Sequence, residues 1–146
     1  MSLVDGVGRS IDYLRLSVTD RCDFRCVYCM AKNMTFLPRQ QVLTLEELER
    51  LAALFVGQGV RKIRLTGGEP LLRRDLDVLV ARLAAIDGIE DICLTTNGSL
   101  LTAKRAEELK AAGINRVTLS LDAIDDDVFK AINDVGFPAS KVLTAI

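Results

Sequence analysis

Histidine is absent from all 146 residues. Without an imidazole the chain can build no Cys/His zinc site and no histidine-based catalysis, so acid–base work falls to carboxylates, lysine or tyrosine. Charge of one sign is lacking as well: 19 Lys and Arg stand against 20 Asp and Glu, a formal net charge of −1. No bulk positive field exists to hold nucleic acid or an anionic membrane, so neither is expected as a partner, and any anion must be bound by local charges. No stretch approaches the roughly 18 apolar residues of a membrane span. Residues 1–9 also lack the apolar region of a signal peptide, and together these absences predict a cytoplasmic protein. Solenoid repeats and low-complexity tracts are missing too. A composition 49% hydrophobic and 27% charged then fits one globular domain over residues 1–146.

Only four cysteines are present, and three of them, Cys22, Cys26 and Cys29, fall close together. In a reducing compartment disulfides rarely persist, so metal or cluster binding is the better reading. Four β-like runs alternate with helical patterns: Tyr13 to Val18, Lys62 to Thr66, Asp91 to Thr95 and Arg116 to Ser120. That alternation predicts α/β architecture with βα units on a parallel sheet. Thr44 followed by Glu47 is a capping-box pattern opening a helix whose apolar positions include Leu45, Leu48, Leu51 and Leu54. A second helix is expected from about Arg73 to Ala85, a third from about Thr102 to Ala112 closed by Gly113, and a fourth from Asp125 to Asp127 onward. The segment from Asp20 to Val42 is long enough to indicate function.

Side chains alternate across a sheet, and here the two faces differ. One is aliphatic, with Leu14, Leu16, Ile63, Leu65, Ile92, Leu94, Val117 and Leu119, and is expected to pack under the helices. The other presents Arg15, Ser17, Lys62, Arg64, Thr66, Cys93, Thr95, Thr118 and Ser120, and βα geometry turns it towards a barrel lumen. Buried guanidinium groups are costly unless an anion or solvent meets them, which predicts a polar, wet cavity. Pairing of Arg15 and Arg64 with carboxylates is the alternative.

Cys22, Cys26 and Cys29 have the spacing C-x3-C-x2-C directly after the first strand. Three thiolates can hold three corners of a cubane cluster and leave its fourth iron open to a small molecule. Zinc is the rival, but a second ligand pair is missing and Cys93 lies far along the chain; inert thiols are the third possibility. Cys93 itself reads as a passive small residue, and Arg73 and Arg74 as a solvated helix face.

With these residues the sequence resembles the radical S-adenosylmethionine (SAM) superfamily, whose signature is this cysteine spacing after the first strand of a partial (βα) barrel. The runs Arg15 to Cys22, Ile63 to Leu71 with Gly67-Gly68-Glu69-Pro70, Leu94 to Gly98 and Leu119 to Ala123 are similar, within it, to the GTP 3′,8-cyclase family of molybdenum-cofactor biosynthesis. The resemblance implies a TIM-like partial barrel of about four βα units, truncated relative to the six strands of the superfamily. It implies a [4Fe-4S] cluster on Cys22, Cys26 and Cys29, and SAM met by Tyr28, Gly68 and Ser120. It also implies GTP held by Arg15, Arg64 and Thr95, whose two guanidiniums suit a triphosphate. The implied chemistry is one-electron cleavage of SAM, supplied by an electron donor, with hydrogen taken from the substrate ribose. Packing for Tyr28, a plain turn for Gly67 and Gly68, and solvent exposure for Ser120 are the alternatives. The family carries a second cysteine triplet and a paired-glycine tail that this sequence lacks, so it reads as an N-terminal portion awaiting its C-terminal half or a second copy. A non-catalytic SAM- or cluster-binding remnant, or a radical SAM enzyme for another anionic substrate, are the competing expectations.

Overall fold

The period-two runs fold as expected in the computed structural model, which describes residues 3–146. Strands β1 (Tyr13–Ser17), β2 (Lys62–Thr66), β3 (Asp91–Thr96) and β4 (Arg116–Leu119) form one parallel sheet in the order β1-β2-β3-β4. The connections carry α1 (Leu45–Val56), α2 (Leu76–Ala84) and α3 (Ala103–Ala112), and α4 (Asp126–Asn133) and α5 (Ala139–Thr144) follow β4. Sequential parallel neighbours joined by helices make this an α/β sheet of βα units, an open partial barrel.

The aliphatic face is the core. Leu16, Ile63, Leu65, Ile92 and Leu94 are buried against Leu48, Ala52, Leu76, Leu79, Val80, Leu83 and Leu109 of the three helices. Each such leucine or isoleucine contributes about 1.5–3 kcal/mol through removal from water. Helix α1 starts where the capping box requires: the Thr44 hydroxyl accepts from the Glu47 N–H at 3.2 Å, and the Glu47 carboxylate accepts from the Thr44 N–H at 2.8 Å. Gly113, at φ 121°, ends α3 in a conformation that a Cβ would strain.

Helix α2 begins three residues later than the sequence pattern indicates. Pro70–Leu72 form a single 3-10 turn, and Asp75 then takes a left-handed conformation, φ 58°, before the helix starts. Arg73 and Arg74 therefore lie in the β2–α2 connection rather than on a helix face. Arg73 is half-buried and donates to the Leu43 carbonyl at 2.7 Å, so the expectation of a solvated face fails for it.

A second, smaller apolar cluster lies behind the cysteine loop. Phe24 packs edge-on against Phe129 at 6.1 Å between ring centroids and against Phe137 at 5.2 Å, with Ala139, Val142, Cys22 and Cys26 around them. Aromatic pairs of this geometry are worth about 0.5–1.5 kcal/mol beyond their buried area. The loop backbone is tied to the same place, since Arg25 N–H donates to Asn133 O at 2.9 Å and Val27 N–H to Ile132 O at 3.0 Å.

Candidate functional site

Parallel register brings Arg15, Arg64, Cys93 and Arg116 into one row across the four strands, on the face opposite the helices. Thr95 and Thr118 form part of the next row. The Arg64 guanidinium donates to Thr95 Oγ1 and Thr118 Oγ1, each at 2.9 Å, and to the Tyr13 hydroxyl, whose ring it also overlies. Three strands thus fix one cation without neutralising it. Among the described residues neither Arg15 nor Arg64 pairs with a carboxylate, so the ion-pair alternative is not what the fold adopts. Arg116 differs: it pairs with Asp91 at 3.1 Å and donates to Cys93 Sγ at 3.2 Å, which leaves that buried sulfur occupied inside the sheet row.

The cysteine loop follows β1 at the carboxyl end of the strands, where βα folds place their sites. All three loop cysteines are unpaired thiols, and burial pushes both Cys22 and Cys26 up. Neighbouring negative charge adds to this, Asp23, Glu69 and Cys26 acting on Cys22, and Asp122 and Cys29 on Cys26. Among the described residues no three His, Cys, Asp or Glu side chains converge to hold a single metal ion. A structural zinc site takes four ligands on one ion, whereas a cubane takes one thiolate on each of three irons. The donor set, three soft thiols without a fourth protein ligand, fits the cluster.

The remaining motifs brace this loop. Glu69 is 1% exposed, and burial pushes its carboxyl above the ordinary range against three opposing hydrogen bonds. Its Oε1 accepts from Thr96 Oγ1 at 2.6 Å and Leu71 N–H at 2.9 Å, and its Oε2 from Asn97 N–H at 2.8 Å. Asn97 Nδ2 in turn donates to Asp23 Oδ1 at 2.8 Å, and Ser99 Oγ donates to Asp23 Oδ2. One network therefore runs from the exit of β2 through the exit of β3 to the residue beside Cys22. The glycines serve a close approach, but to the chain itself: Gly68 N–H donates to Thr19 O at 2.9 Å and Glu69 N–H to Arg21 O at 2.8 Å. A Cβ on Gly68 would collide with the Arg21 carbonyl.

Tyr28, between Cys26 and Cys29, is 69% exposed, which removes the packing alternative. Its hydroxyl donates to Asp122 Oδ2 at 2.9 Å and is pushed up to about 12 by partial desolvation there and by that hydrogen bond. Ser120 is exposed at the end of β4, its N–H donating to Thr96 O at 2.8 Å. The structure thus joins Arg64 to Thr95 directly, sets Arg15 beside Arg64, and links Tyr28 to the segment holding Ser120. Sequence reasoning placed Thr118 on the polar face without giving it a role, and missed Tyr13 and Asp122. Tyr13 and Thr118 share the polar alternation of Arg15 and Thr95, which was a usable signal, while nothing local marks Asp122 as the partner of a residue 94 positions away.

Comparison with known proteins agrees with this arrangement. The chain is 60% identical over 143 residues to GTP 3′,8-cyclase 1 of Pseudomonas aeruginosa, covering 98% of this chain and 43% of the relative. It is 58% identical to GTP 3′,8-cyclase of Marinobacter nauticus (99% and 43%) and 55% identical to that of Staphylococcus aureus (97% and 43%). The chain thus spans about two fifths of the length of these curated relatives. Among solved structures, Streptococcus suis SuiB bound to S-adenosylmethionine superposes with a TM-score of 0.73 at 23% identity, covering 92% of this chain and 30% of SuiB. Native anSMEcpe with bound AdoMet and a peptide gives 0.70 at 21%, covering 91% and 38%. These two share the fold. The profile described as Radical SAM superfamily matches residues 16–146, nearly the whole chain, and with the thiol loop at the strand ends this establishes that the chain belongs to the radical SAM superfamily.

Proposed function

We propose that the chain provides the cluster-, SAM- and part of the substrate-binding surface of a GTP 3′,8-cyclase, the activity that rearranges GTP in the first step of molybdenum-cofactor biosynthesis. Superfamily membership carries SAM and a [4Fe-4S] cluster, which together supply one-electron chemistry able to take a hydrogen atom from a substrate carbon. In this reading Cys22, Cys26 and Cys29 ligate three irons, and Tyr28, Gly68 and Ser120 meet SAM. Arg15, Arg64 and Thr95 hold GTP, and an external reductant serves as electron donor. Residues 1–146 then act as one catalytic core unit with further polypeptide, from the same protein or a second copy, closing the open side of the sheet.

The observation that carries the reading is Arg64. A guanidinium held by side chains from three strands, with no carboxylate beside it, is a fixed positive charge awaiting an anion. Because its hydrogen-bond partners are neutral, it keeps its full charge for phosphate oxygens, and because they are rigid, little side-chain entropy is lost on binding. Thr95 doubles as a support for Arg64 and a wall of the same surface. Titration of GTP into the anaerobically reconstituted chain tests this. Arg64→Ala is expected to weaken GTP at least about tenfold, in line with loss of a charge-assisted hydrogen bond. Equal affinity in wild type and variant would overturn the assignment.

A further inference from the structure

A cleft of about 300 Å³ opens between the residues that follow β1, the segment before α1 and the entry to α2, and it shares no lining residue with the row of Arg15 and Arg64. Arg21, Arg39, Arg73 and Arg74 line it together with Thr44 and Asp75. Four guanidiniums against one carboxylate leave three net positive charges, in a chain whose total is −1. Among the described residues none of the four takes part in an ion pair. Like charges gathered in one cleft repel, and with no ion pair among the four to offset this, the arrangement is best accounted for by an anion that the cleft receives.

Two of the four are already held in place. Arg21 lies over the Phe36 ring at 5.6 Å, and Arg73 donates to the Leu43 carbonyl at 2.7 Å, so their orientation costs little on binding. Arg39 and Arg74 are exposed and free to close on a ligand. The helix starts add little to the field: the first turn of α2 carries Asp77 next to the Asp75 N-cap, and that of α1 is already satisfied by Thr44 and Glu47. Guanidinium forks match phosphate oxygens in pairs, a cleft of this size admits a diphosphate group, and a diphosphate at neutral pH carries about three negative charges, balancing the net charge of the lining.

We propose that this cleft is a second anion site, separate from the polar strand face, and that it takes a diphosphate group, either free or as the phosphate tail of a nucleotide. Its ligand would cross-link the cysteine loop, through Arg21 and Arg39, to the β2–α2 connection, through Arg73 and Arg74. It would therefore tighten the loop that bears Cys22.

The test uses a chain carrying Arg15→Ala and Arg64→Ala, which removes the proposed substrate contacts and so separates this site from that reading. Pyrophosphate titrated calorimetrically at low salt is expected to bind saturably to one site per chain. Adding Arg39→Ala and Arg74→Ala, both at exposed positions, is expected to weaken it at least about tenfold. Circular dichroism checks that the variants fold, and Arg74→Gln alone, with a smaller loss expected, replaces the pair if they do not. Repeating the titration with ADP identifies the source: equal binding assigns a nucleotide tail, and its absence a free diphosphate. No saturable pyrophosphate binding in the Arg15/Arg64 variant, or binding indifferent to Arg39 and Arg74, overturns the proposal.

Discussion

The cysteines divide by environment, one kind in the loop after β1 and one on the strand row. Cys26 is half-buried with its thiol pushed up by burial, so in the proposed ligand role it would have to lose a proton, and binding of the cluster would make that loss favourable. Cys93 is fully buried, hydrogen-bonded to Asp91 at 3.3 Å and approached by Arg116, a separate environment on the strand row. Anaerobic reconstitution of Cys26→Ala is expected to give a chain without the brown absorbance of an iron–sulfur cluster, while Cys93→Ser keeps it. Loss of colour in the second variant would overturn the division of the four cysteines. Glu69 is expected to show itself through pH. Burial raises its folded pKa above the ordinary 4.5, so the native state keeps the proton longer than the unfolded chain does. The stability it contributes is then fully present below about pH 4.5 and declines as pH climbs through the folded value. Glu69→Gln sets an amide donor against the N–H of Asn97 or the hydroxyl of Thr96, at a cost of about 1–3 kcal/mol. That cost should be greatest in acid and shrink as pH rises, measured as the difference between the two urea unfolding curves. A difference that grows with pH would show that the three hydrogen bonds outweigh desolvation.

At the scale of elements, the cysteine loop depends on a helix pair far away in sequence. Asn133, the last residue of α4, is fully buried. Its Nδ2 donates to Phe129 O and Phe137 O, both at 2.8 Å, and its Oδ1 accepts from Val135 N–H at 3.1 Å and Phe137 N–H at 3.2 Å. It thereby shapes the turn after α4, next to the helix-end carbonyls of Ile132 and Asn133 that receive Val27 N–H and Arg25 N–H. Asn133→Ala leaves several of these groups unpaired and is expected to cost on the order of 3 kcal/mol in a denaturation experiment. It should also lower the yield of reconstituted cluster; an intact yield would show that the loop keeps its shape without the helix pair. None of this was legible in the sequence, because Asn133 sits in an ordinary helix-end pattern and its partners depend on tertiary packing. The strands were legible to within a residue, since a period-two pattern with one aliphatic and one polar face has a single register that buries the right side. So was the start of α1, where Thr44 and Glu47 are adjacent in the chain. The late start of α2 was not, because Asp75 adopts a left-handed conformation that its residue type permits but does not announce. The same holds for the site. Cys22, Cys26 and Cys29 are written as a local spacing, and the Arg15–Arg64–Thr95 group follows from strand alternation, but Tyr28 meeting Asp122 arises only once the sheet is assembled.

For the whole molecule, what counts is which surfaces the sheet leaves uncovered. β1 and β4 each have one unpaired edge, and the polar face lies open opposite the helices. Edge strands with free N–H and C=O groups recruit further strands unless they are short, charged or covered. Here both are short, and Arg15 and Arg116 supply charge, so the edges alone give weak association. Exposed apolar side chains recur beyond β4, where Ile124, Val128, Val135, Leu143 and Ile146 all face solvent. Burying a few such side chains between two copies offers several kcal/mol, enough to offset part of the cost of association. The 146-residue chain is therefore expected to self-associate in a concentration-dependent way, with the segment after β4 at the contact. Sedimentation velocity across a dilution series reads this directly. Ile124→Lys combined with Val128→Glu, both on exposed positions and so neutral for folding, should shift the midpoint of association to at least about tenfold higher concentration, since each removes an apolar contact and introduces a charge costly to bury. A wild-type chain that stays monomeric throughout the series would mean that the open edges and this apolar segment are shielded within one copy, and the expectation of a surface awaiting further polypeptide would fall with it.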